Sequence, residues 1–205
     1  MKFSLFPSEK RALELLLGLC TEVHNCLEVL SQMLGSIAED RPELVEELNR
    51  IEIGATDLHY ALLTHLRTSF VNPLPREDLY TFSRLLHEVV TDLSGAGQLM
   101  GQPGVKWLSE RAAEQLEIIA RQTELTTTAI GELDRLDDLE DTWLQMVRTT
   151  KRAHRTHHSW LGEIGELHKA SAIVRHRAVA DQLLASANSL RAVADHLGRV
   201  LVKES

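Results

Sequence analysis

Apolar residues return every three or four positions along almost the whole chain, and the breaks in that rhythm divide it into six amphipathic helices. From Pro7, a residue suited to a helix start, the stripe Leu13, Leu16, Leu17, Cys20, Val23, Leu27, Leu30 and Leu34 predicts a first helix to about Glu39. Pro42 opens a second, carried to Phe70 by Leu44, Val45, Leu48, Ile51, Ala55, Leu58, Leu62 and Leu66. Pro73 and Pro75 in VNPLPRED disfavour helix at the residues before them, so an extended turn precedes a third helix from Arg76 through Phe82, Leu86 and Leu93. SGAGQLMGQPGV, the stretch richest in Gly and Pro, predicts a joint near mid-chain. Three further patterns run from Trp107 to about Ile130, from about Leu136 to Leu167 and from about Ser171 to Val202. No segment has the β-branched and aromatic density of a strand. The expected fold is all-α, with six long helices as two pseudo-repeated three-helix bundles, residues 1–100 and 101–205, in a single domain of 1–205.

Charge narrows the function classes. The formal net charge of −8 repels phosphate backbones and anionic headgroups, so no nucleic-acid partner is expected. The longest apolar run, ALELLLGLC, falls short of the ~20 residues of a membrane span, and MKFSLFPSEKR lacks the pattern of a secretory signal. A cytoplasmic location without direct membrane insertion follows as an expectation. Cys20 and Cys26 lie about 9 Å apart along one helix axis, too far for a disulfide and wrongly spaced for a zinc pair. No phosphate loop, His-Glu-x-x-His, Gly-x-Ser-x-Gly elbow or paired Glu-x-x-His occurs, so the sequence offers no support for an enzyme.

Three segments, FSLFPSEK, SFVNPLPREDLY and VLVKES, together with the order and length of the helices, resemble the PhoU-like family of phosphate-transport accessory proteins. The resemblance implies a cytoplasmic, non-enzymatic regulator of inorganic phosphate or related ion transport that acts on a transporter by protein–protein contact. It also implies acidic Glu-x-x-x-Asp motifs on the second helix of each bundle, with further acids on the third, which could gather carboxylates around a divalent or ferric metal. The chain departs from that pattern. Glu52 is followed at the motif's last position by Thr56, with Asp57 one step off the face, while Glu88 and Asp92 keep the spacing. Aligned by helix boundaries, Lys151 and Arg155 replace the second-half acids, and Asn188 and Ala192 replace those on the last helix. Neither Lys nor Arg ligates a hard cation at neutral pH. Glu52, Glu88 and Asp92 are therefore vestigial metal candidates, and no cofactor is expected.

TTKRAHRTHH at residues 149–158 carries the other candidates. His154 and His157 fall on the apolar stripe and should face the seam, either as hydrogen-bonded core histidines or as metal or proton-sensing groups. Lys151, Arg155 and His158 follow a flank, with Arg152 pointing elsewhere. These four form an anion or partner patch, or else a solvated flank paired with Glu110, Glu114 or Glu117. Trp107, Trp143 and Trp160 are read as packing residues or interface anchors. The apolar flanks suggest a homodimer. A rival expectation is a metal-binding bundle using Glu52, His87, Glu88 and Asp92, with His59 nearby.

Overall fold

The computed structural model describes residues 7–69, 71–105 and 107–204. Its helices are α1 (Pro7–Gly35), α2 (Arg41–Thr68), α3 (Arg76–Met100), α4 (Glu110–Gly131), α5 (Glu140–Gly165) and α6 (Ala170–Glu204), with one short 3₁₀ turn at Leu136–Asp138. The chain is an all-α bundle of six helices, and among the described residues it contains no strand. No described helix is long and apolar enough to cross a membrane. The first half of FSLFPSEK, together with Phe70 and Ser205, lies outside the described residues.

Local chemistry sets the helix ends. Pro42 occupies the first turn of α2, Glu43 lies at its positive end and His65 and Arg67 at its negative end. Pro75 precedes α3, whose first turn carries Glu77 and Asp78. The expected start of α4 at Trp107 is corrected to Glu110, because the Ser109 hydroxyl accepts the Arg111 N–H at 3.1 Å and caps the helix there. The fifth helix begins at Glu140, since Leu136–Asp138 form the separate 3₁₀ turn.

The expected joint is also corrected. SGAGQLM is the last two turns of α3, which ends at Met100, and the next helix starts at Glu110. Each interior glycine costs about 1 kcal/mol of helix propensity, which packing can outweigh. Here packing demands them. A Cβ on Gly97 would collide with Leu48 of α2, and one on Gly95 would come within 3.3 Å of Gln182 of α6. The chain reverses at Gly104, whose φ of +100° suits only glycine.

The first three helices pack on one another, as do the last three, and the two sets join through α3 on α6 and α1 on α4. A ring of four, α1, α3, α6 and α4, thus forms the middle. Among the described helices α2 touches only α1 and α3, while α5 touches only α4, α6 and the 3₁₀ turn. The ring is filled by side chains such as Leu16, Leu30, Phe82, Leu86, Leu93, Ile119, Leu183 and Leu190, each at most 2 % exposed. Burying one such side chain contributes about 1.5–3 kcal/mol.

The outer helices occupy equivalent places. On α2 the buried residues Leu48, Ala55, Leu62 and Leu66 have the same spacing as Met146, Ala153, Trp160 and Ile164 on α5. This register pairs Glu52 with Thr150, Thr56 with His154 and His59 with His157. Lys151 and Arg155 instead correspond to Ile53 and Asp57, one residue around the helix on the exposed face. Alignment by helix boundaries differs from this register by one residue, because α2 starts at Arg41 and α5 at Glu140 while burial is set by the ring.

Candidate functional site

The three acids proposed as metal remnants are dispersed. Glu52 is half-buried on α2 beside Asn49 and Asp57. Glu88, exposed on α3, pairs with Arg84 at 3.1 Å. Asp92 faces α6, where its carboxylate accepts the Ser189 hydroxyl at 2.6 Å and the Gln182 amide at 3.2 Å. Burial pushes the Asp92 carboxyl above its usual range; Ser189 opposes the shift, Glu88 adds to it and Gln182 opposes it. Asp92 thus serves as a tie between the halves. Among the described residues no three His, Cys, Asp or Glu side chains gather as a metal ion requires.

Between α2 and α3 the structure brings together His59 and His87, with ring centroids 5.4 Å apart. His59 Nδ1 is 2.7 Å from the Ser83 hydroxyl, and His87 Nε2 is 3.0 Å from that of Thr56. Burial, then His87, then Arg84 hold the His59 imidazole below its ordinary value of 6.5. In the matching place of the second half, His154 Nε2 donates to Asn188 Oδ1 at 3.0 Å. Buried His157 meets Asp181 Oδ1 at 2.8 Å, and that carboxylate also receives Arg177. Both seam histidines therefore face α6, and each has a side-chain hydrogen-bond partner.

The cationic residues of α5 are different. Lys151, Arg152, Arg155 and His158 are all exposed. Exposed Arg148 lies one turn before Arg152, and with these two the flank of Lys151, Arg155 and His158 widens into a single strip. Arg148 was missing from the sequence reading because it precedes the dense run TTKRAHRTHH; its i+4 spacing to Arg152 and i+7 spacing to Arg155 was the available signal. Among the described residues none of these four Lys and Arg side chains takes part in an ion pair, whereas Arg84, Arg111, Arg121, Arg135, Arg177 and Arg191 all do.

The acids expected to neutralise the patch are engaged elsewhere or stand apart. Glu114 receives Arg111 at 2.7 Å and the Thr156 hydroxyl at 3.1 Å. The Arg111 hydrogen bond holds its carboxyl below the usual range; burial opposes, and Thr156 and the charges of Arg111 and Arg152 add. Glu163 receives Arg111 and Ser109. Glu110 and Glu117 line the groove at the start of α4 with exposed Trp107, which stacks on His176 at 4.4 Å.

The remaining candidates are structural. Cys20 and Cys26 are free and buried, and burial pushes both thiols up to about 12, far from reactive. Trp160 is fully buried, and Trp143 donates its indole N–H to the Ala194 carbonyl at 3.1 Å. No protein-family model matches the chain, and no curated protein matches it.

Proposed function

We propose that this chain is a non-catalytic, PhoU-like accessory protein of inorganic phosphate or related ion transport, cytoplasmic in location, that works by docking on another protein. The resemblance in SFVNPLPREDLY and the terminal segments supplies the transporter class. One observation carries the docking role: Arg148, Lys151, Arg152 and Arg155 stand on one exposed helix face without an ion-pair partner among the described residues, in a chain whose net charge is −8. Other described cations, such as Arg50, Arg67 and Arg199, also lack an ion pair; what sets these four apart is that they share one face of an outer helix, where they can meet complementary charge on a partner together. Phosphate uptake by cells carrying the doubly substituted Lys151→Glu, Arg155→Glu protein should fall to that of cells lacking the protein. Wild-type uptake with that variant would overturn the reading.

The metal-binding alternative is favoured by one observation, the His59 and His87 pair at 5.4 Å. Elemental analysis of untagged protein after exposure to Fe, Mn and Zn tests it: stoichiometric metal that is lost in His87→Ala supports it, and metal-free protein ends it. Self-association through the exposed Ile53 and Tyr60 of α2 is the accompanying expectation, tested by sedimentation equilibrium.

A further inference from the structure

We infer that the α5 strip accepts a single acidic helix from its partner, whose carboxylates recur at i, i+4 and i+7. This inference rests on the docking role proposed above and names the kind of partner. Arg148, Lys151, Arg152, Arg155 and His158 lie within roughly a third of the helix circumference and extend about 15 Å along it, at 1.5 Å per residue. No acid occurs on α5 between Asp141 and Glu163, so the strip's field is undivided along its length. The row Arg148, Arg152, Arg155 repeats at the spacing with which one face of an α-helix presents side chains, and a guanidinium can hold a carboxylate through two parallel hydrogen bonds.

The surroundings of the strip select a narrow partner. On the α4 side stand Glu114, within electrostatic reach of Arg152, and exposed Glu117 and Glu124. On the α6 side stand Asp181 and Asp195. Each of these acids except Glu117 is itself ion-paired, with Arg111, Arg121, Arg177 or Arg191, so the margins of the strip are close to neutral and a broad polyanion meets its positive field along the centre alone. A bilayer or a nucleic-acid duplex is broad in this sense. A helix about 10 Å across is not, and it can rest on the strip between the two ion-paired margins. Lipid insertion would also call for apolar side chains beside the cations. The neighbouring exposed positions are instead Gln145, Ser159 and Gly162, the last two small enough for close approach of another helix.

The test uses the full chain and fluorescence anisotropy with a labelled, alanine-rich helical peptide bearing glutamates along one face. A peptide of the same composition with glutamates spread around the helix, phosphatidylserine vesicles and duplex DNA serve as competitors. The one-face peptide should bind several-fold tighter than the spread one, and weaken about tenfold when salt is raised from about 50 to about 300 mM. Its binding should be lost with Arg152→Glu, Arg155→Glu and weakened with the charge-neutral Arg152→Gln, Arg155→Gln, with thermal melts confirming that both variants fold. Strip-dependent binding of both peptides equally would overturn the inference yet leave the docking role standing. Vesicles or DNA that outcompete the peptide would replace the partner class. If no probe binds in a strip-dependent way, the inference and the docking role fall together.

Discussion

The two three-helix sets solve the same packing problem with different interiors. The outer helix of the first set meets the ring through Leu48, Ala55, Leu62 and Leu66. The second set buries Gln115, Gln122, Thr123 and Thr126 on α4 and Thr150, Thr156 and His157 on α5. Part of this polar content is paired, as where Gln122 donates to the Thr150 hydroxyl at 3.0 Å and to the Ala187 carbonyl at 3.3 Å. Other atoms have no protein partner, including both amide atoms of Gln115, the Gln122 oxygen, the Thr126 hydroxyl and the Trp160 indole N–H. The first set has fewer such atoms, at Arg41, His65, Asn72 and Ser94; since a buried polar atom without a partner costs about 1–3 kcal/mol, the second set should be the less stable of the two. The docking strip lies on that set, on a helix held by two neighbours from its own half.

Substitutions can break or sharpen this contrast. The largest effect is expected from Leu48→Ala, which removes a fully buried side chain wedged at Gly97 and should lower unfolding free energy by about 2–5 kcal/mol in urea titration. Next come the glycines at the two outer-helix crossings. A Cβ on Gly97 meets Leu48, and one on Gly198 comes within 2.8 Å of Trp143, so each Gly→Ala should cost about 1–3 kcal/mol. Similar costs at both would support the equivalence of α2 and α5; a cost at Gly97 alone would show α5 able to move away.

Gln115→Leu should then have the opposite sign, raising stability by up to about 2 kcal/mol because two buried amide atoms without protein partners are replaced by apolar surface. A loss as large as that of Leu48→Ala would mean that the polar interior is satisfied after all, and the contrast would disappear.

Acid should expose a smaller, graded weakness. Burial holds the imidazoles of His59, His176 and His196 below the ordinary 6.5, and at His196 it prevails over the nearby Asp78. The folded state therefore favours the neutral rings. Their contribution is fully present above pH 6.5 and declines as pH falls through the lowered folded values. Asp92, shifted upward from 3.8, acts with the reverse sign: its contribution is greatest below 3.8 and disappears as pH rises through its raised value. The urea midpoint should hold constant above pH 7 and begin to fall below about 6.5, less steeply in His196→Phe. A flat midpoint down to pH 5 would contradict this. The smallest effect belongs to the strip itself, where Arg148→Ala or Arg155→Ala should change stability by less than about 0.5 kcal/mol, a check that docking losses are not folding losses.

The six helices could be read from the apolar rhythm because each must bury one face. Their ends were harder. The Gly-rich end of α3 resembles a loop in sequence, since what keeps it helical is the approach of Leu48 and Gln182 from distant parts of the chain. The seam placement of His157 followed from periodicity, while its pairing with Asp181 required knowing how α6 lies on α5. The strip was partly visible as a run of cations, but its unpaired state was not, because Glu114, the α4 acid within electrostatic reach of Arg152, is claimed by Arg111 and Thr156. Glu52, Glu88 and Asp92 looked like one group on adjacent helices; the fold turns Asp92 toward Ser189 and Gln182 instead.

The ring of α1, α3, α6 and α4 also imposes an order on synthesis. The broadest helix contact joins α3 to α6, and Asp92 and Asp78 of α3 find Ser189, Gln182, His196 and Lys203 on a helix that leaves the ribosome after the other five described here. A nascent chain that has released its first five helices still presents α3 with bare apolar surface and unpaired carboxylates. The half with the drier interior must wait for its far neighbour, and arrest of translation before α6 leaves a species suited to capture by a chaperone.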